Sequence, residues 1–129
     1  MLSLKRLHHI AIICSDYERS KTFYTEVLGF KVLQEVYREE RASYKLDLSL
    51  NDRYLIELFS FPDPPLRRTR PEATGLRHIA FEVEDITASI RELQAKNITA
   101  EPLRIDEYTG KKFTFFFDPD GLPIELYER

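Results

Sequence analysis

The chain has 129 residues, of which 43% are hydrophobic and 32% charged, and its formal net charge is −3 at pH 7. This length allows one domain with a real core, and the composition is too apolar for intrinsic disorder. The acidic balance argues against nucleic acid as a partner, because phosphate binding needs a basic surface. No apolar run approaches the roughly 18 residues of a membrane span, and the first residues do not match a signal peptide. The single cysteine, Cys14, cannot form an internal disulfide, so we expect a cytoplasmic protein in which Cys14 is a small buried hydrophobe.

The first part of the chain predicts a strand, a helix and three further strands. Residues 7–13 are rich in isoleucine, which indicates a strand covered on both faces. Asp16 is a good N-cap for the following helix, and Gly29 ends it, because the residue after a helix often needs a positive φ. Three apolar or alternating segments then predict strands over residues 30–36, 42–50 and 54–61.

The second part repeats this order after a proline-rich stretch. Four of the seven prolines lie between Pro62 and Pro71, which marks residues 62–74 as a linker. A strand over 78–83 precedes a helix capped by Asp85 and ended by Asn97. A short strand is predicted within residues 98–105, and two further strands are predicted over 113–117 and 123–127. The sequence therefore predicts one α+β domain over 1–129, with a first βαβββ module at about 4–61 and a second at 75–129.

Two short motifs recur at matched places in the two modules. Leu7-His8-His9-Ile10-Ala11 is echoed by Leu76-Arg77-His78-Ile79-Ala80, and Ile56-Glu57-Leu58 by Ile124-Glu125-Leu126. A repeat of this kind governs the whole fold. His8 has no counterpart, since Arg77 stands there, and we interpret it as a structural residue on the face opposite His9.

Strand alternation places the repeated polar residues on defined faces. His9 is predicted to share a face with Ala11 and Ile13, and His78 to share one with Ala80. The opposite face of that second strand, formed by residues 79, 81 and 83, is predicted to pack on the helix.

Glu57 and Glu125 interrupt apolar strands, and a buried carboxylate is costly unless it is paired or bound to metal. A lone His or Glu in a strand is usually just hydrogen-bonded, but recurrence in register favours a metal site. Two imidazoles and two carboxylates suit a divalent transition metal.

Other side chains are weaker candidates for the same site. Lys45, Asp47 and Glu82 are predicted to face the same site as the repeated His and Glu residues. The arginines of residues 37–41 and 67–70 could bind an anionic substrate tail, although solvated loop charges are the favoured interpretation. Alternation over residues 113–117 places Phe113, Phe115 and Phe117 on one face of the strand and Thr114 and Phe116 on the other. One set is predicted to form core and the other to line the site.

The motifs as a set resemble those of the vicinal oxygen chelate superfamily, which contains glyoxalase I, methylmalonyl-CoA epimerase, bleomycin-resistance proteins, fosfomycin-modifying enzymes and extradiol dioxygenases. The resemblance rests on His9-Ile10-Ala11, Phe23-Tyr24, Leu28-Gly29-Phe30, Ile56-Glu57-Leu58, His78-Ile79-Ala80, Asp118-Pro119-Asp120-Gly121 and Ile124-Glu125-Leu126. It implies two tandem βαβββ modules with curled mixed sheets that enclose a metal cleft. Four residues fall on the ligand positions of glyoxalase I: His9, Glu57, His78 and Glu125. The epimerases usually carry Gln at the place of Glu57.

The resemblance implies a metal-dependent glyoxalase I-like lyase or isomerase. A small substrate with vicinal oxygens would react through an enediolate, with Glu125 or Glu57 as the catalytic base. The metal could be Ni, Zn, Mn, Fe or Co, and glutathione is a candidate co-substrate although its binding signature is not evident. Relatives are commonly homodimers, with the site inside one chain or shared between two. The alternatives are a non-catalytic ligand-binding module of the bleomycin-resistance kind, and a thiol transferase or dioxygenase of the same fold.

Overall fold

The computed structural model describes all 129 residues and divides into two compact units. Unit 1 is Met1–Leu66 and unit 2 is Arg67–Arg129. Each unit holds one four-stranded mixed sheet and one main helix, in the order strand, helix and three strands. The predicted α+β class and the two βαβββ modules are therefore confirmed. No helix in the chain has the length and apolar content needed to cross a membrane.

Unit 1 is built around the sheet order β1-β4-β3-β2. Strand β1 runs parallel to β4, and the other neighbouring strands are antiparallel. Its elements are β1 (Ile10–Cys14), α1 (Tyr17–Thr22), a π-helical continuation (Phe23–Val27), β2 (Lys31–Arg38), a 3₁₀ turn (Glu39–Arg41), β3 (Ser43–Leu50) and β4 (Arg53–Ser60).

Unit 2 repeats this sheet as β5-β8-β7-β6, with β5 parallel to β8. Its elements are β5 (Ile79–Val83), α2 (Ile86–Ala95), β6 (Arg104–Ile105), β7 (Lys112–Phe117) and β8 (Pro123–Glu128).

Both helices begin and end at the predicted residues. The side chains of Asp16 and Asp85 accept hydrogen bonds from the amides of Arg19 and Ala88, as N-caps do. Gly29 follows the first helix with φ +80°, a conformation that glycine adopts without strain. Asn97 follows the second helix with φ +61°, which asparagine tolerates.

One face of each sheet forms the core and the other is open. In unit 1, Ile56 and Leu58 are fully buried, so alternation turns Glu57 to the open face. In unit 2, Ile124 and Leu126 are buried in the same way and turn Glu125 outward. Cys14 is 2% exposed, which confirms it as a small buried hydrophobe.

The first strand differs from its prediction in two respects. It begins at Ile10, so residues 7–9 precede it. The prediction that both of its faces are covered is also wrong within the chain. Ile12 and Cys14 are buried, but Ala11 and Ile13 are exposed, because only one face of the sheet carries the helix.

The short strand predicted within residues 98–105 is confirmed as Arg104–Ile105, and the residues before it are irregular. Pro102 has no N–H to donate to a ladder. Glu101 instead joins β7 through its own amide and through the Thr114 hydroxyl, which donates to its carbonyl. In β7 itself the two predicted faces are confirmed, because Thr114 and Phe116 are fully buried in the core.

Candidate functional site

In unit 1 the strand register brings His9 beside Glu57. Ala11 lies opposite Glu57 in the parallel pair β1–β4, and His9 is two residues before Ala11. The two side chains therefore project on the same side of neighbouring strands. His9 Nε2 is 3.8 Å from Glu57 Oε1, with the imidazole 35% exposed and the carboxylate side chain 15% exposed.

Unit 2 repeats this arrangement. Ala80 lies opposite Glu125 in the parallel pair β5–β8, and His78 is two residues before Ala80. His78 Nε2 is 3.0 Å from Glu125 Oε2, and the side chains are 34% and 14% exposed. The two His–Glu pairs therefore sit at the same register and at the same depth in their own sheets.

A polar network holds the carboxylate of unit 1. Asp47 lies opposite Glu57 on the neighbouring strand β3. The Tyr54 hydroxyl is 3.0 Å from both Asp47 Oδ1 and Glu57 Oε2. Lys45 Nζ is 2.8 Å from Asp47 Oδ1 and 3.5 Å from Glu57 Oε2. Burial and these two carboxylates raise the pKa of Tyr54, so its hydroxyl stays protonated and donates to them.

His8 belongs to this network, contrary to the prediction that it faces away from His9. The Nδ1 atoms of the two imidazoles are 2.8 Å apart, so one donates and the other accepts. His9 also stacks on the Tyr54 ring, with centroids 5.1 Å apart and an interplanar angle of 4°, and His8 meets that ring edge-on. The prediction is wrong for His8 because this residue precedes β1 and its side chain turns toward His9 instead of following the alternation of the strand. His8 occupies the Nδ1 side of His9 while the Nε2 atom faces Glu57.

The pair in unit 2 is surrounded by aromatic rings instead. Phe115 lies opposite Glu125 on β7, and the His78 ring meets it edge-on with centroids 5.1 Å apart. The Arg104 guanidinium lies over the rings of Phe113 and Phe115, 4.9 and 5.4 Å from their centroids. The Glu125 carboxylate makes its one ion pair with His78 and receives no hydrogen bond from another side chain.

Two of the three weaker candidates lie beside a His–Glu pair, and the third does not. Lys45 and Asp47 lie beside Glu57, as the network shows. Glu82 does share the open face of its strand, but its side chain is 65% exposed and is paired with Arg129 at 3.8 Å. It forms no ion pair with His78, so the structure does not join it to the His–Glu pair.

Sequence reasoning missed Tyr54 because of a local irregularity. Strict alternation would put residues 54 and 57 on opposite faces of the strand. A β-bulge intervenes, since Leu48 pairs with Ile56 and Ser49 pairs with Tyr54, which leaves Leu55 without a partner. A bulge inserts one residue and re-aims its neighbours, and so the Tyr54 hydroxyl reaches Glu57. The sequence around Tyr54 gives no sign of this bulge.

The candidate donors come as two pairs, one in each unit. No group of three or more His, Cys, Asp or Glu side chains in the chain is arranged to hold a metal ion. Each pair offers an imidazole nitrogen and carboxylate oxygens, which are donor types that divalent transition metals accept. The first pair is His9 with Glu57, and the second is His78 with Glu125.

Comparisons with known proteins identify a family and several relatives that this chain resembles. The family model described as the Glyoxalase/Bleomycin resistance protein/Dioxygenase superfamily matches residues 6–126. The Bacillus subtilis protein YwkD, described as uncharacterised, is 68% identical over 126 residues and covers 98% of each chain. Human mitochondrial methylmalonyl-CoA epimerase is 31% identical over 136 residues, covering 96% of this chain and 74% of the epimerase. The crystal structure of a glyoxalase family protein from Enterococcus faecalis has a TM-score of 0.91 at 52% identity, covering 98% of this chain and all of that one.

Proposed function

Because the chain belongs to the Glyoxalase/Bleomycin resistance protein/Dioxygenase superfamily, we propose that it is a metal-dependent lyase or isomerase acting on a small substrate with two vicinal oxygens. Members of this superfamily generally use divalent metals and bind small molecules. One observation carries the proposal for this chain. The same His–Glu pair stands at the same register and depth in both units, at 3.8 and 3.0 Å. Packing alone requires neither residue type at those positions.

The proposed metal ligands are His9, Glu57, His78 and Glu125, and the ion is one of Ni, Zn, Mn, Fe or Co. The surroundings of Glu125 support this assignment. Its carboxylate is largely removed from water and has no partner except the imidazole of His78. A carboxylate in that position is costly without a cation, and a metal ion would supply one.

The protein's own side chains divide the chemistry between them. When bound, the metal would act as a Lewis acid that stabilises negative charge on the two substrate oxygens. We assign the proton transfer next to the substrate carbonyl to Glu125. Its carboxylate is held only by His78, against an aromatic wall. Glu57 is held at its Oε2 atom by Tyr54 and Lys45, and we assign it as the fixed ligand.

Each His–Glu pair alone offers too few donors, so both pairs must contribute to one ion. The pairs could come from one chain or from two protomers of a homodimer, and superfamily members are often dimeric. Mixing two inactive variants distinguishes these arrangements. If sites are shared, a His9→Ala protomer and a His78→Ala protomer form a heterodimer with one intact site, so random mixing restores about a quarter of the sites. If each chain builds its own site, mixing restores none.

The experiment that tests the proposal is elemental analysis of natively purified protein, followed by turnover assays. We expect divalent metal in the wild type and loss of it in His9→Ala and His78→Ala. Glu82→Gln is the matched control, because Glu82 lies on the same face of β5 but pairs only with Arg129. The assays use the hemithioacetal of methylglyoxal and glutathione, and methylmalonyl-CoA. Protein without metal in any preparation rejects the proposal and favours a ligand-binding module instead.

A further inference from the structure

Unit 2 contains a pocket beside His78 that three arginines line. It has a volume of about 340 Å³, and its walls include Arg70, Arg77, Arg104 and Phe115. Small-molecule sites of this kind occupy cavities of about 300–1,000 Å³. The chain as a whole is acidic, with a net charge of −3, so this cluster of cations does not follow from its composition.

The arginines have few acidic partners of their own. Glu101 is the one acidic residue in the lining, and its Oε1 atom is 3.3 Å from Arg104 Nη2. Arg70 and Arg77 make no ion pair, and Arg77 donates only to the carbonyl of Thr69, at 3.3 Å. The lining therefore carries three positive charges against one negative charge. Each guanidinium has five N–H donors, most of which remain open to a ligand.

The position of Arg104 is fixed on its apolar side. Its guanidinium lies over Phe113 and Phe115, which leaves the planar group oriented before any ligand arrives. A guanidinium held in this way matches the two oxygens of a carboxylate or the oxygens of a phosphate. Phe115 also touches His78, so the same ring joins the pocket to the proposed metal ligand.

We propose that this pocket binds the carboxylate or phosphate group of a small anionic substrate. The anion site is inferred from the lining of the pocket alone. That its occupant is the substrate rests on the proposed function, because His78 would hold the metal at the other end. On this view the substrate carries an oxygen-rich reacting end beside His78 and an anionic tail among Arg70, Arg77 and Arg104.

The test is a titration of metal-free protein, dialysed free of chelator, at constant ionic strength. The probes are inorganic phosphate and malonate, with glycerol as a neutral control, and binding is followed by calorimetry and amide chemical shifts. We expect saturable binding of an anion in the wild type and none of glycerol. Arg104→Gln and Arg70→Gln should each weaken binding by about tenfold, the effect of losing one charge-assisted hydrogen bond.

Arg68→Gln is the matched control, because Arg68 is an exposed neighbour of Arg70 that does not line the pocket. It should bind as the wild type does. Equal weakening by Arg68→Gln and Arg104→Gln would mean that anion binding depends only on the overall charge of the protein. That result would overturn the inference. Tighter binding of phosphate would identify a phosphoryl group as the tail, and tighter binding of malonate a carboxylate.

The two proposals fail in different ways. Protein that binds a divalent metal but neither phosphate nor malonate overturns the anion site and leaves the proposed function standing. Protein that binds these anions but no metal keeps the anion site and overturns the proposed function.

Discussion

The two units hold the same His–Glu pair in opposite chemical surroundings. The residue paired with Glu57 on the adjacent strand is Asp47, whereas the residue paired with Glu125 is Phe115. Both strand pairs have the same direction and register at this point, but only β3–β4 carries a β-bulge, so the difference lies in the side chains and in that one backbone irregularity. The backbone frame is repeated, and the lining of each site is not.

The contrast continues two residues away. Lys45 precedes Asp47 on the open face of β3, and Phe113 precedes Phe115 on the open face of β7. Unit 1 therefore surrounds its carboxylate with a cation, a second carboxylate and the Tyr54 hydroxyl. Unit 2 surrounds its carboxylate with rings. A hydrogen-bonded carboxylate is held in one position, while one against rings is free to change partners.

This comparison suggests a division of work between duplicated halves. The pair of unit 1 is held by its polar network, and His78 of the pair in unit 2 lines a pocket large enough for a ligand. Under the proposed function, unit 1 would position the metal and unit 2 would meet the substrate. The predictions below test that division, from the largest expected effect to the smallest.

The sharpest test exchanges each carboxylate for its amide. Glu125→Gln should lower kcat by about 10²–10⁴-fold, because an amide cannot accept the transferred proton. Glu57→Gln should keep the metal and lower kcat far less, because an amide oxygen can still serve as a ligand and Tyr54 still holds it. Both variants are measured for metal content and for steady-state turnover of the probe that the wild type accepts.

Glu82→Gln again serves as the control, since it removes one carboxylate from the open face of unit 2 without touching the His–Glu pair. A larger loss of kcat in Glu57→Gln than in Glu125→Gln would reverse the assignment of the base. It would also show that the polar network of unit 1 does not hold a fixed ligand.

The next test removes one hydroxyl from the network of unit 1. Tyr54→Phe keeps the ring that stacks on His9 and deletes the donor shared by Asp47 and Glu57. Loss of a group that orients a metal ligand costs about 10–100-fold in metal affinity. We expect a loss in that range, measured by competition with a chelating dye. Tyr127→Phe is the matched variant in unit 2, where the hydroxyl bonds to Asp106 and Thr109 and not to Glu125. It should leave metal affinity unchanged, and an equal effect of both variants would contradict the division.

Local rules made the frame and the His–Glu pairs predictable from sequence. Asp16 and Asp85 mark helix starts through capping chemistry, and strand alternation turns Glu57 and Glu125 to one face. What escaped prediction depends on tertiary structure. The bulge at Leu55 redirects Tyr54, and no rule of alternation foresees it.

The pocket of unit 2 could not be predicted from sequence for a related reason. Arg70, Arg77 and Arg104 come from three separate segments, and only the folded chain places them in one lining. The sequence pointed to arginines near residue 70 as candidates for an anionic tail, but solvated loop charges were the favoured interpretation. The structure places Arg70 in the lining and leaves Arg68 out of it.

Helix capping gives a smaller and symmetrical effect. Asp16→Ala and Asp85→Ala each delete a carboxylate that accepts an amide hydrogen bond, at 3.1 and 3.0 Å. Each should lower the free energy of unfolding by about 1 kcal/mol, measured by urea denaturation. Asp16→Asn and Asp85→Asn are the controls, because an asparagine side chain still caps and should lose little. Unequal losses in the two units would mean that the repeated helix starts are not energetically equivalent.

The smallest effect concerns the pH dependence that one ion pair of unit 1, Lys21 with Glu35, gives to stability. The hydrogen bond from Lys21, followed by that from Tyr17, lowers the pKa of Glu35 below the usual value of a glutamate. A carboxylate with a lowered pKa in the folded state contributes stability above its unfolded pKa, and this contribution is lost as the pH falls through the folded value. Glu35→Gln should therefore be less stable than the wild type at pH 7, by under about 1 kcal/mol for a pair this exposed, and equally stable in strong acid. Denaturation of both proteins in urea between neutral and acidic pH checks this, and a Glu35→Gln difference that persists in strong acid would contradict the ion pair as its source.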